Sequence, residues 1–318
     1  LRAILGEAPT HRVCMTDNIM PHRYHQSLIP RLPEVLPDIT FFYEQKANLT
    51  LAQVKNLFDA GCRSIQAGIE ALDSDLLRLM RKGLLARQNI SLLRYAQTVG
   101  MITLWNLLWG FPGDDVESYL RTAALLPMLR HLYPPQTLAH LHLDRFSPYF
   151  EHPEQHGITD LRPLPGYAEV FPKRADLERL AHHFQASYSS GSEAAAVIQR
   201  LFQEVARWRA LWEGDPRSTP VLHLRRVSPG SYLLTDTRGL SGAPIFSLNE
   251  AQARAVLVGG RDRGATAEWA IRNRFAVDLD GWCVPLATAS YHLLSEFEAG
   301  SGVLQPGAAV LGVVTQPD

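Results

Sequence analysis

Four short apolar segments carry polar side chains at every second position. Successive side chains on a strand point to opposite faces, so Glu44, Lys46 and Asn48 share one face and Tyr43 and Ala47 the other. Gln66, Gly68 and Glu70 oppose Ile65, Ala67 and Ile69, and Asn106 and Gly110 oppose Trp105, Leu107 and Trp109. His140, His142 and Asp144 oppose Leu141 and Leu143. These groups gather toward the C-terminal ends of their segments, where parallel barrels place their sites. Together they offer both signs of charge and several neutral donors and acceptors. That set suits a ligand of mixed charge with many hydrogen-bonding groups. Gly68 and Gly110 leave room for it beside the backbone.

Strands must hold these residues, and helices must cover the opposite faces. Candidate strands are 12–16, 39–44, 64–69, 102–109 and 138–143. Between them, Leu51–Ala60 ends at Gly61 and Ser91–Val99 at Gly100, both natural C-caps. The segment 73–82 opens on acidic residues and stops at Gly83, while 114–132 should kink at Pro127. Residues 21–37 are proline-rich, with a short helix only in their middle. Strands alternating with helices predict an α/β fold of parallel βα units. Five units suggest a partial parallel (βα) barrel over residues 1–172 rather than an open sheet, two architectures that periodicity alone does not separate. Residues 151–172 read as a long ordered loop or crossover.

The segments 175–188 and 194–211 read as helices, forming a helical bridge over 173–215. Residues 216–318 read as a small α+β module. Its first hairpin turns at Pro229-Gly230, two helices follow at 249–258 and 266–274, and a second hairpin turns at Asp280-Gly281. That order predicts a winged-helix-like C-terminal module.

Composition narrows the function classes. With 31 basic and 32 acidic residues the formal net charge is −1, so no field is built to attract nucleic acid. No apolar run reaches the ~20 residues of a membrane helix. Cys14, Cys62 and Cys283 stand far apart. Three isolated cysteines argue against a disulfide framework and fit a cytoplasmic protein.

Several runs resemble one enzyme family. Gln66-Ala67-Gly68-Ile69-Glu70, followed by Leu76-Leu77-Arg78-Leu79-Met80-Arg81-Lys82-Gly83, resembles the "GIE…vLklmnKG" stretch of radical S-adenosylmethionine (SAM) enzymes. Asn106–Asp114, containing Gly110-Phe111-Pro112-Gly113, resembles their "GfPGE" strand and turn. Thr16-Asp17-Asn18-Ile19-Met20 resembles the "f.DD.f" strand of the cobalamin-dependent branch. Arg145-Phe146-Ser147-Pro148-Tyr149-Phe150, with Gly157-Ile158 and Arg162-Pro163, resembles the branch that matures ribosomally synthesised peptides, as does Asp236-Thr237-Arg238. The resemblance covers roughly residues 1–172.

It implies a SAM site at Asp17, Asn18, Glu44, Lys46, Asn48, Gln66, Gly68, Glu70, Asn106, Gly110 and Pro112. Lys46 would pair the SAM carboxylate, Glu70 would accept from hydroxyl or ammonium groups, and residues 110–113 would lie along the adenine. His140, His142, Arg145 and Tyr149 would line a substrate channel, with no residue assigned to a metal. The implied cofactors are SAM, a 4Fe-4S cluster and, on the cobalamin branch, cobalamin. The implied activity is reductive SAM cleavage and C-methylation of a precursor peptide. The C-terminal module is the expected docking place for that peptide, because an exposed strand edge can pair with an extended chain.

One departure stands out. The family's CxxxCxxC loop is absent, and three thiolates from one short loop are needed to hold the cluster. With Leu1 in first place, the expectation is an N-terminally truncated chain, inactive alone, without the cluster loop or a cobalamin domain. Two other readings compete. One is a non-catalytic barrel that scaffolds a peptide or protein partner. The other is a metal-free acid–base enzyme using Glu44 and Glu70.

Overall fold

The computed structural model describes residues 6–7, 10–16, 18–191 and 195–300. Strands β1 (Arg12–Cys14), β2 (Thr40–Gln45), β3 (Cys62–Ala67) and β4 (Ile102–Leu104) form a parallel sheet in chain order. After a break at Trp105, β5 (Asn106–Trp109) pairs in parallel with β6 (Thr137–His140), and a bridge from Glu70 to Leu107 joins the two groups. The five expected strands are therefore neighbours in sequence order, the fourth in two pieces.

The connecting helices start and stop where their caps dictate. Helix α1 (Leu51–Asp59) opens on a capping box. The Thr50 hydroxyl accepts from Gln53 N at 3.2 Å, and Gln53 Oε1 accepts from Thr50 N at 2.9 Å. The turn after it passes through Gly61, whose φ is +100°. A Cβ there would lie 2.1 Å from the Ile39 carbonyl oxygen, so only glycine lets the chain turn back into β3. Asp73 caps α2 (Ser74–Leu79), while α3 (Ala86–Val99) closes on left-handed Gly100. Helix α4 (Val116–Leu125) gives way to a 3-10 turn over Leu126–Leu129, because Pro127 cannot continue an α-helix.

These helices cover one face of the sheet. Phe41, Tyr43, Ile65, Ala67, Ile69, Trp105 and Leu107 are all buried there. Trp105 meets Trp208 of the long helix α5 (Ala195–Glu213) edge to face at 5.9 Å. Both indole N–H groups donate to carbonyls at 2.9 Å, that of Trp105 to Tyr133 and that of Trp208 to Leu132. Among the described residues the opposite face of the sheet has no such cover: Glu44, Gly68 and Asn106 are half-buried and Gln66 is exposed.

The expected helix at 175–188 is a correction. Only Leu177–Leu180 is helical, and His183–Ser187 forms a strand between Leu143–Asp144 and Thr159–Pro163 in an antiparallel sheet. His183, Gln185 and Ser187 alternate with Phe184, Ala186 and Tyr188, a period of two that tertiary pairing exploits. Thr159–Pro163 also gives residues 151–172 a strand of their own.

The C-terminal unit contains both expected hairpins and both helices, near their expected bounds. Its main sheet has the order Ile245–Asn249, Ser231–Asp236, Leu222–Ser228, Thr288–Ala289. The first and last of those strands, and the helix Tyr291–Ala299, were not legible as elements of the module. The second hairpin turns through Asp280 and Gly281, both at positive φ, as a type I′ turn requires. One apolar core runs without interruption from the parallel sheet into this unit. Fully buried Arg94 of α3 fastens the two, donating from Nε (3.0 Å) and Nη2 (2.8 Å) to the Ala287 carbonyl and from Nη2 (2.8 Å) to that of Leu257. Among the described residues, no helix is long and apolar enough to cross a membrane.

Candidate functional site

Parallel register sets the uncovered face row by row. Glu44 lies beside Gln66, and Gln66 beside Leu104. Beyond the end of β3, Glu70 lies beside Leu107, the neighbour of Asn106. Glu70 adopts φ +58°, an unusual conformation for a residue other than glycine. Buried Asn89 of α3 holds the backbone on either side, its Nδ2 donating to the carbonyls of Ile69 (3.1 Å) and Ala71 (2.8 Å). The turn aims the Glu70 carboxylate at Lys82, with Oε1 and Nζ 2.6 Å apart. Both side chains flank Gly68, where an added Cβ would sit 3.8 Å from Lys82 Nζ and 3.9 Å from Glu70 Oε1. Lys82 and Asn89 were not among the expected site residues. Lys82 stood in the quoted motif, whereas a buried asparagine on a helix leaves no signal of its role in sequence.

The turn after β5 is built as firmly. Gly110 has a positive φ, and a Cβ there would lie 2.5 Å from His140 Nε2, so this position also demands glycine. Buried Asp114 gathers the turn: Oδ2 accepts from Phe111 N (2.7 Å) and from the Tyr119 hydroxyl, and Oδ1 from Ser190 Oγ (2.6 Å) and Gly191 N (2.7 Å). The Tyr119 hydroxyl also accepts from Gly110 N at 2.9 Å. Burial first, and then the Asp114 carboxylate, push the Tyr119 phenol well above its ordinary value, so it stays protonated as a donor. Pro112 is buried inside this turn. Tyr188 closes it from the neighbouring sheet, donating to the Gly110 carbonyl at 2.9 Å.

Other expected residues fall elsewhere. Asp17 lies outside the described residues, and Asn18 is exposed in the bend after β1. Lys46 and Asn48 do not continue the face of Glu44, because β2 ends at Gln45. They line a cavity of about 720 Å³ with His25, Arg87 and Trp282, between the sheet's C-terminal loops, α3 and the second hairpin. None of Glu44, Gln66, Glu70 and Asn106 lines this cavity. The shared strand face expected for His140, His142 and Asp144 is likewise corrected: β6 stops at His140, and Asp144 belongs to the antiparallel sheet. His140 packs edge-on against Trp109 at 4.6 Å, next to Gly110. Arg145 is a local pin, donating to the carbonyls of Ala181 (2.6 Å) and Glu178 and lying over Phe150 and Phe184. Tyr149 packs edge-on against His156 at 4.7 Å, and burial first, then Tyr188 and Glu70, raises its phenol above the ordinary value.

The cysteines do not fit an iron–sulfur cluster. Cys14 is exposed at the end of β1, while Cys62 and Cys283 are buried in separate elements. Burial pushes their thiols up to about 12 and about 11, the reverse of what a thiolate ligand needs. Of the two carboxylates in the acid–base reading, Glu44 shares a row with Gln66, while Glu70 sits beyond that row and is paired with Lys82.

No protein-family model and no curated protein matches the chain. Among solved structures it is similar to the radical SAM methyltransferase TsrM from Kitasatospora setae with cobalamin and a 4Fe-4S cluster bound, at 17% identity and a TM-score of 0.46, over 64% of this chain and 45% of that one. It is similar to the cobalamin-dependent SAM radical enzyme OxsB with aqua-cobalamin and SAM bound, at 14% identity and a TM-score of 0.44, over 69% and 38%. It is also similar to HemN of Escherichia coli, coproporphyrinogen III oxidase and a radical SAM enzyme, at 15% identity and a TM-score of 0.38, over 80% and 64%. The chain spans less than half of TsrM or OxsB. At such distances the functional reading rests on this chain's own residues.

Proposed function

We propose that the uncovered face of the parallel sheet holds SAM, and that the chain is the SAM-holding part of a radical SAM enzyme that C-methylates a ribosomally made peptide. The observation that carries the reading is the division of the strands. Tyr43, Ile65, Ile69, Trp105 and Leu107 are buried under helices, while Glu44, Gln66, Glu70 and Asn106 line the other face around Gly68. An ordinary half-exposed sheet has no need to fasten a left-handed Glu70 with a buried asparagine or to leave glycine in the gap beside it.

SAM presents an ammonium, a carboxylate, a sulfonium and two ribose hydroxyls. The Glu70–Lys82 pair supplies both complementary charges, Gln66 and Asn106 supply neutral donors and acceptors, and the Gly110 turn gives a rigid wall for a planar base. The cluster and cobalamin would have to come from residues other than these. The terminal strand Ile245–Asn249 leaves one sheet edge for an extended peptide to join, which supports a peptide substrate. Since the C-terminal unit shares its core with the sheet, that role belongs to the whole chain.

Calorimetric titration of the full chain with SAM tests the reading. Saturable binding is expected, weakened about tenfold or more in Asn106→Leu, as loss of a hydrogen bond to a charged or polar partner entails. Equal affinity in that variant, or no heat of binding at millimolar SAM, would sink it.

A further inference from the structure

The strand at His183–Ser187 brings together residues that lie far apart in sequence. Asp144 and His183 are register partners across the antiparallel pair, and Asp144 Oδ1 lies 2.7 Å from His183 Nδ1. In an extended strand the preceding residue would point to the opposite face. Here the chain bends at His182, and the Tyr167 hydroxyl fixes the bend by accepting from the backbone N–H of both His182 (3.0 Å) and His183 (3.2 Å). The two imidazoles therefore lie on one side, their ring centroids 5.0 Å apart. One ligand atom from each of Asp144, His182 and His183 falls within 4.8 Å of the others. A third imidazole, that of His142, stands 6.1 Å from His183. The nearby Arg145 guanidinium is engaged by the Ala181 and Glu178 carbonyls and by two aromatic rings.

We infer that Asp144, His182 and His183 form a site for a divalent transition-metal ion of the zinc class. A lone His183–Asp144 pair would be an ordinary surface ion pair. Such a pair requires neither a bend that turns a second imidazole toward it nor a third ring close by. Two imidazoles and a carboxylate are the donor set that zinc and its neighbours in the series accept, with water or His142 left to complete four-coordination. With 44% and 46% exposure, Asp144 and His183 are open to an entering ion. The ion would replace the direct Asp144–His183 contact and tie residue 144 to residues 182 and 183, closing the three-stranded sheet beside the Gly110 turn.

Equilibrium dialysis of the chelator-stripped full chain against Co²⁺, followed by visible absorption and thermal melting, tests the assignment. One Co²⁺ per chain is expected, with tetrahedral d–d bands that Zn²⁺ abolishes and a melting temperature that rises with occupancy. Loss of an outer partner of a metal ligand costs about 10–100-fold in affinity, so His182→Ala and His183→Ala should each weaken binding at least about tenfold. The remote His292→Ala variant should bind as the parent does. No binding, or stoichiometry and affinity unchanged in both ligand variants, would overturn the site. Circular dichroism of each ligand variant should match that of the parent, because both side chains are exposed.

Discussion

Arg238→Ala should lower the unfolding free energy by about 3–5 kcal/mol, the cost of removing one partner from a buried ion pair. The Arg238 and Asp236 side chains are both fully buried, joined by Nε to Oδ1 at 2.8 Å and Nη2 to Oδ2 at 2.9 Å. The same guanidinium donates to the carbonyls of Met128 (2.8 Å) and Arg274 (2.9 Å), one behind α4 and one in the C-terminal unit. Truncation therefore leaves the buried carboxylate without its charged partner, with only Ser241 Oγ (2.9 Å) and the residue-238 N–H (3.1 Å) still donating, and takes a donor from two carbonyls in the seam between the two halves. Burial acts to raise the Asp236 carboxyl, and the Arg238 bonds outweigh it, holding that carboxyl below its ordinary value. Urea denaturation of the full chain measures the effect. The double variant Asp236→Leu/Arg238→Met should recover much of the loss, because no buried charge then lacks its partner. A single variant within about 1 kcal/mol of the parent contradicts this account.

Acid weakens the same seam by titrating His131. Burial first, and then the Arg238 charge, hold its imidazole down to about 3, with Nε2 2.8 Å from the Leu286 carbonyl oxygen. The folded value lies below the ordinary 6.5, so the denatured chain takes up this proton before the native one as pH falls. Stability from this residue is complete above pH 6.5 and drains away as pH drops toward 3. The slope is about 1.4 kcal/mol per pH unit, or about 2 kcal/mol between pH 6.5 and 5. Denaturation midpoints across that interval should show it, and His131→Gln should flatten the dependence whatever its effect on absolute stability. A slope identical in parent and variant rules His131 out as its source.

Alternation made the sheet legible. Tyr43/Glu44 and Ile65/Gln66 announce a covered face and an uncovered one, and Gly61 and Gly100 mark where helices stop. What lay beyond sequence was where each alternation ends. Lys46 keeps the period of Glu44, but the strand has stopped, and it lines a different cavity. His142 keeps the period of His140 across a break that only tertiary pairing decides. The segment 175–188 carries helix formers on both sides of His182-His183, and pairing with the upstream strands Leu143–Asp144 and Thr159–Pro163 overrides that local preference. The support at Glu70 was equally hidden, since Asn89 acts through backbone carbonyls 18 and 20 residues away.

Hydrogen–deuterium exchange of the full chain with and without SAM is the most direct measure of where the ligand sits. Protection is expected at 64–71 and 104–114, the strand ends and turn that carry Gln66, Glu70, Asn106 and Gly110, with 46–50 and 282–285 unchanged. Protection confined to those latter segments would move the ligand to the cavity lined by Lys46 and Trp282 and contradict the placement made from the strands.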